Sequence, residues 1–221
     1  DDLVDAGAEL DSAAVGREPI DQCIGDRLGA ALGHHVAAGR RGHAQHEAQR
    51  GAEPVVGAHV HVQGHRGTKE DRMGYLLDYA GHMGIDRLCL SLGTSRDRRP
   101  EMDVVRESND MVRDAVELHP DRYVGFCYLN PCYLQHSLDE IERCVVDGPF
   151  RGIKLWVALQ CSEPNLDPIC GRAAELGVPI LQHTWLKITG NLPFESTPWD
   201  VAEIARRHPD DLTVKQRKDE R

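Results

Sequence analysis

The sequence predicts an α/β fold built on a parallel sheet, and three observations carry that expectation. Apolar, β-rich segments alternate with segments of helical period. The β-rich segments start near residues 55, 85, 122, 150, 178 and 211, steps of about thirty residues. That step is the length of a βα unit, in which a crossover helix joins neighbouring parallel strands. Two architectures satisfy the pattern: an open doubly wound sheet and a (β/α)8 barrel. No G-x-G-x-x-G or G-x-x-x-x-G-K-[ST] follows the first strand, so the nucleotide-binding form of the open sheet loses ground.

Each element has a local reason. Val55–His61 reads as the first strand. Thr68 offers an N-cap with Asp71 three residues on, and Met73, Leu76, Leu77, Ala80 and Met83 then recur at helical period before Gly84. Ile85–Leu92 is the second strand. Val104, Ser108, Met111, Ala115 and Leu118 mark the second helix, stopped by Pro120. Arg122–Leu129 is the third strand, ended by Asn130 and Pro131. Leu134, Leu138, Ile141 and Val145 mark the third helix, ended by Gly148. Phe150–Leu159 reads as the fourth strand. Ile169, Ala173 and Leu176 mark a short helix ended by Gly177, and Val178–Thr184 is the fifth strand. Thr197, Pro198 and Asp200 supply an N-cap, a first-turn proline and a capping acid for the fifth helix. Asp211–Val214 begins a sixth strand. The seven polar residues that follow read as a charged tail, 215–221, rather than as more strand.

Composition narrows the function. The chain has 221 residues and a formal charge of −10, whereas nucleic acid and anionic membranes call for a basic face. Neither is an expected partner; a small-molecule substrate is, together with a second copy of the chain. No apolar run is long enough to cross a bilayer, and the first thirty residues show no signal segment. Seven cysteines, none in a C-x-x-C pair, read as buried thiols of a reducing compartment, so a cytoplasmic location is expected. Residues 1–50 lack Phe, Tyr, Trp and Lys, and bury little area. They are expected to form a disordered or foreign amino-terminal arm, leaving 51–214 as the folded unit.

The chemistry concentrates in Ala58-His59-Val60-His61, at the carboxyl end of the first strand. Residues i and i+2 share a strand face, so the two imidazoles converge. In a barrel that end carries the active site. Neutral imidazole is a good ligand for zinc and related ions. His183 closes the fifth strand in the same way. Alone it reads as a packed histidine; with His59 and His61 it completes the three protein ligands of a common catalytic zinc site.

With these three histidines the sequence resembles the amidohydrolase superfamily of metal-dependent TIM-barrel hydrolases. The nearer resemblance is to the amidohydrolase-related branch that includes aminocarboxymuconate-semialdehyde-decarboxylase-like proteins. Gly125-Phe126-Cys127-Tyr128-Leu129-Asn130-Pro131, Gly152-Ile153-Lys154-Leu155, the stretch from Asn191 to Pro198 and Ile204-Ala205-Arg206-Arg207-His208-Pro209 add to it. The resemblance spans about Val55 to Val214. It implies a (β/α)8 TIM barrel, present here as about five βα units and the start of strand six. It also implies a divalent ion, with zinc expected, held by His59, His61 and His183. A water on that ion would hydrolyse a small carbonyl- or carboxylate-bearing substrate, or the site would decarboxylate one. The family's further residues, a His after strand six and an Asp after strand eight, have no counterpart in this sequence. The chain therefore reads as incomplete, with no catalytic base assigned and its own activity in doubt. The alternative is a half-barrel that binds a ligand or partner without turnover. Lys154, Trp185 and Glu195 are the expected substrate contacts, each weighed against a plainer role: a lysine meeting a barrel-mouth carboxylate, a packed indole and a solvated loop acid.

Overall fold

The computed structural model describes residues 54–61, 67–91, 97–209 and 213–216. The readings of 1–50 and of the tail beyond Gln216 lie outside the described residues. Six strands, β1 (Val56–Val60), β2 (Arg87–Leu90), β3 (Tyr123–Leu129), β4 (Gly152–Leu155), β5 (Ile180–His183) and β6 (Thr213–Gln216), alternate with α1 (Lys69–His82), α2 (Met102–Leu118), α3 (Leu134–Ile141), α4 (Asp167–Leu176) and α5 (Pro198–Arg207). All pairings are parallel, and each strand lies beside the next in sequence. A doubly wound sheet reverses its strand order at a switch point. Here none occurs, so the sheet has the order of a (β/α)8 barrel.

The local signals act as their chemistry requires. The Thr68 hydroxyl accepts from Asp71 N at 3.1 Å, and Asp71 Oδ2 accepts from Thr68 N at 2.9 Å. Thr197 and Asp200 form the same reciprocal box at α5. Gly84 and Gly177 follow α1 and α4 with φ of 69° and 65°, a conformation that costs glycine little. Strand ends differ from expectation at several places, and two of these differences are informative. β4 stops at Leu155, because Trp156 onward bends away while Val157 and Ala158 stay buried. β6 continues past Val214, pairing Lys215 with Gln182 and Gln216 with His183. Ladder hydrogen bonds use backbone groups only, so polar side chains do not end a strand by themselves.

Alternation divides the sheet into two faces. Leu88, Leu90, Cys127, Leu129, Ile153, Leu155 and Ile180 join one buried cluster with helix residues Val112, Ala115, Ile141, Ile169 and Ile204. Between them Phe126, Tyr128, Lys154, Leu181 and His183 point to the opposite face, the inside of the barrel curve. Phe126 lies across Gly152 there, where an added Cβ would fall into the ring. Gly152→Ala is expected to cost about 1–3 kcal/mol as the ring is forced off its position. The midpoint of urea unfolding measures it.

Candidate metal centre

β1 carries a bulge. Gly57 pairs with Leu88 and Val60 with Leu90, so three steps on β1 match two on β2. Such an extra residue re-aims the side chains beyond it. Val60 packs against the helix-side cluster. His59 and His61 therefore project to the inner face at the carboxyl end of the strand. Their ring centroids lie 4.4 Å apart with planes at 84°. His61 Nδ1 donates to the Ser91 carbonyl at 2.7 Å, which puts the lone pair on Nε2. Ser91 N in turn donates to Val60 O at 3.0 Å, tying the two strand ends together.

His183 ends β5 on the same inner face, two residues beyond Leu181. Its Nε2 donates to Glu195 Oε1 at 3.1 Å, leaving Nδ1 as the basic nitrogen. Glu195 is not a solvated loop acid but is buried, 2% exposed. It also accepts from Lys187 Nζ at 2.9 Å and Leu192 N at 2.9 Å. Burial lifts the Glu195 carboxyl, but the donors from Lys187, Leu192 N–H and His183 outweigh it and hold it ionised below the usual glutamate range. The Lys187 ammonium lies 4.3 Å from the Trp185 ring centroid, and the His183 and Trp185 rings meet edge to face at 6.1 Å. The loop after β5 thus ties Glu195 to both His183 and Lys187.

Lys154 is the remaining expected contact. It sits between Tyr128 on β3 and Leu181 on β5 as their register partner. It is 3% exposed, and burial pushes its ammonium pKa down to about 7. Sequence reasoning missed what stands behind this row. Asn109 of α2, fully buried, accepts from Tyr128 N at 2.8 Å and donates to Tyr128 O at 2.9 Å and Glu140 Oε2 at 3.0 Å. Arg143 clamps Glu140 through two nitrogens, at 2.7 and 2.6 Å, and reaches Asp110 Oδ1 at 2.6 Å. An asparagine and a glutamate at the helical spacing of the buried positions of α2 and α3 are the sequence signal for this buttress.

The histidine chemistry fits a divalent ion: neutral nitrogens, with His61 and His183 each oriented by a second acceptor, as ligating imidazoles commonly are. The described residues do not yet draw three His, Cys, Asp or Glu side chains together as a metal-holding group. The adjacent pair is His59 and His61, while His183 is turned to Glu195.

A sequential parallel sheet with histidines at the ends of strands one and five defines a TIM-barrel amidohydrolase. The family model described as Amidohydrolase matches residues 56–214, and the chain belongs to that family. Among curated proteins, a 2-amino-3-carboxymuconate-6-semialdehyde decarboxylase of Dictyostelium discoideum is 25% identical over 104 residues, covering 45% of this chain and 29% of that protein. A gamma-resorcylate decarboxylase of Rhizobium sp. (strain MTP-10005) is 27% identical over 114 residues, covering 45% of this chain and 35% of that protein. The chain thus spans about a third of the length of these relatives. The crystal structure of a 2,6-dihydroxybenzoate decarboxylase from Rhizobium superposes with a TM-score of 0.55 at 20% identity, over 72% of this chain and 65% of that one. That likeness shows the barrel fold.

Proposed function

We propose that the chain carries the metal-binding face of a divalent-metal-dependent decarboxylase acting on a small carboxylate-bearing molecule. The observation that carries the reading is the His59–His61 pair, aimed inward by a bulge and tied to β2 through Ser91. The decarboxylase names of the matched relatives favour loss of CO2 over hydrolysis as the reaction. His59 and His61 would hold the ion through ring nitrogens, with His183 as third ligand. When bound, the ion supplies a Lewis acid for an oxygen of the substrate. Glu195 holds the proton on His183 Nε2 and so keeps Nδ1 basic. Trp185 packs its ring between His183 and the Lys187 ammonium at the mouth. The six described cysteines are free thiols, which supports a reducing, cytosolic setting. Among the described residues no helix is long and apolar enough to cross a membrane.

Metal titration of chelator-stripped protein tests the reading, with zinc and manganese as probes. One equivalent is expected to bind. His59→Ala and His183→Ala should each weaken binding by more than the roughly 10–100-fold typical of an outer partner, and Glu195→Gln by about that outer-partner amount. Absence of stoichiometric binding, or equal affinity in His59→Ala, overturns it.

A further inference from the structure

We propose that Tyr128 and Lys154 form a carboxylate-binding subsite on the inner face of the sheet, below the histidine mouth. The inference rests on the reading of that face as the active one, and names the group of the substrate that it grips.

Four observations carry it. Tyr128 and Lys154 are register partners on adjacent parallel strands. Both side chains leave the sheet on the inner face, since their neighbours Cys127, Leu129, Ile153 and Leu155 all belong to the helix-side cluster. Both are buried, at 2% and 3% exposure. Among the described residues, neither the Tyr128 hydroxyl nor Lys154 Nζ has a hydrogen-bond partner. Two parallel side chains about one strand spacing apart, each a donor and neither serving the other, are an unusual thing to bury.

The placement is that of a receptor. Leu181, the register partner of Lys154 on β5, lies two residues before His183 on the same face. One strand spacing across and two residues along is a diagonal of about 8 Å. A group bound between Tyr128 and Lys154 therefore lies within one small molecule's length of His183. The Asp97 carboxylate, at the far end of the β2 loop, acts on the Tyr128 hydroxyl and helps raise its pKa, behind burial as the main cause. Asn109 grips both backbone groups of Tyr128, so the strand carrying the hydroxyl is held rigidly.

An anion suits this pair better than a neutral group. Burial drives Lys154 towards its neutral form, and an arriving carboxylate restores the ammonium and accepts its proton donors. The phenol, kept protonated by burial, supplies a second donor to the other oxygen. Donors held in place before the ligand arrives need no reorganisation when it binds.

The test uses the full chain with metal removed by chelator, so it stands whether or not the histidines bind an ion. Benzoate and its neutral analogue benzamide are the probes, with dissociation constants read by ligand-observed NMR. Benzoate is expected to bind at least 10-fold more tightly than benzamide. Lys154→Met should weaken benzoate at least 10-fold and leave benzamide unchanged; Tyr128→Phe should weaken benzoate about 3-fold. Methionine is nearly isosteric and apolar, so Lys154→Met should also melt higher than the wild type, which separates a lost subsite from a lost fold. Equal binding of benzoate and benzamide, or benzoate binding unchanged in Lys154→Met, overturns the proposal. Failed metal binding with benzoate selectivity intact would instead sink the metal reading alone.

Discussion

Lys154→Met is expected to make the protein more stable, and the gain should depend on pH. The buried ammonium has a pKa of about 7 against an ordinary value of 10.5. Between those values the unfolded chain binds a proton that the folded chain does not. Unfolding stability of the wild type therefore rises with pH across this window, by about 1.4 kcal/mol per pH unit at most. The methionine variant carries no such proton. Its advantage should be largest at and below pH 7, shrink as pH rises from 7 towards 10.5, and level off above. Urea unfolding of both proteins at pH 6.5, 8 and 9.5 measures the convergence. A constant difference across these values would show that Lys154 is ionised in the fold.

Glu140→Ala is expected to have the largest destabilising effect. Glu140 is 2% exposed and holds Arg143 and Asn109 together. Its removal leaves a half-buried guanidinium with only Asp110, and Asn109 without its anionic acceptor. Breaking a buried pair in this way costs about 3–5 kcal/mol. The sign with pH is opposite to that of Lys154. Burial lifts the Glu140 carboxyl, but Arg143 and Asn109 outweigh it and keep it below the ordinary 4.5. Its contribution is complete above that value and is lost as pH falls through the lower folded one. The gap between wild type and variant should therefore narrow in acid. Amide exchange at Tyr128, whose N–H is held by Asn109, should quicken in the variant even at neutral pH. Unchanged exchange there would separate the buttress from the inner face.

Much of the candidate site was legible because its signals are local. A histidine pair at i and i+2 ending an apolar strand, and another histidine ending the fifth, depend only on strand periodicity. Helix caps at Thr68 and Thr197 read equally well, since a capping box is a contact over three residues. Glu195 was legible only as a substrate contact or a solvated loop acid; its burial and its partners were not legible, because only the folding of that loop over β5 brings His183, Lys187 and Leu192 N–H to it. Tyr128 was legible as a strand residue but not as a group with an unmet donor, because that depends on what neighbouring strands place beside it.

By itself the sequence determined the βα rhythm, the parallel sheet, the strands on which the histidines stand and the acidic balance of the chain. Each of these follows from residue type and spacing within a few turns or strand steps. Tertiary structure decided the rest. It shows the barrel order that the family resemblance implied and that strand spacing alone left open, since strand neighbours are not encoded in the length of a βα unit. It carried β6 through Lys215 and Gln216, since backbone pairing is indifferent to side-chain polarity. It also turned His59 and His61 inward through a bulge and buried Lys154 opposite Tyr128. Bulge, burial and register arise between segments about thirty residues apart, where the energy of a side chain is set by what packs against it and not by its neighbours in the chain.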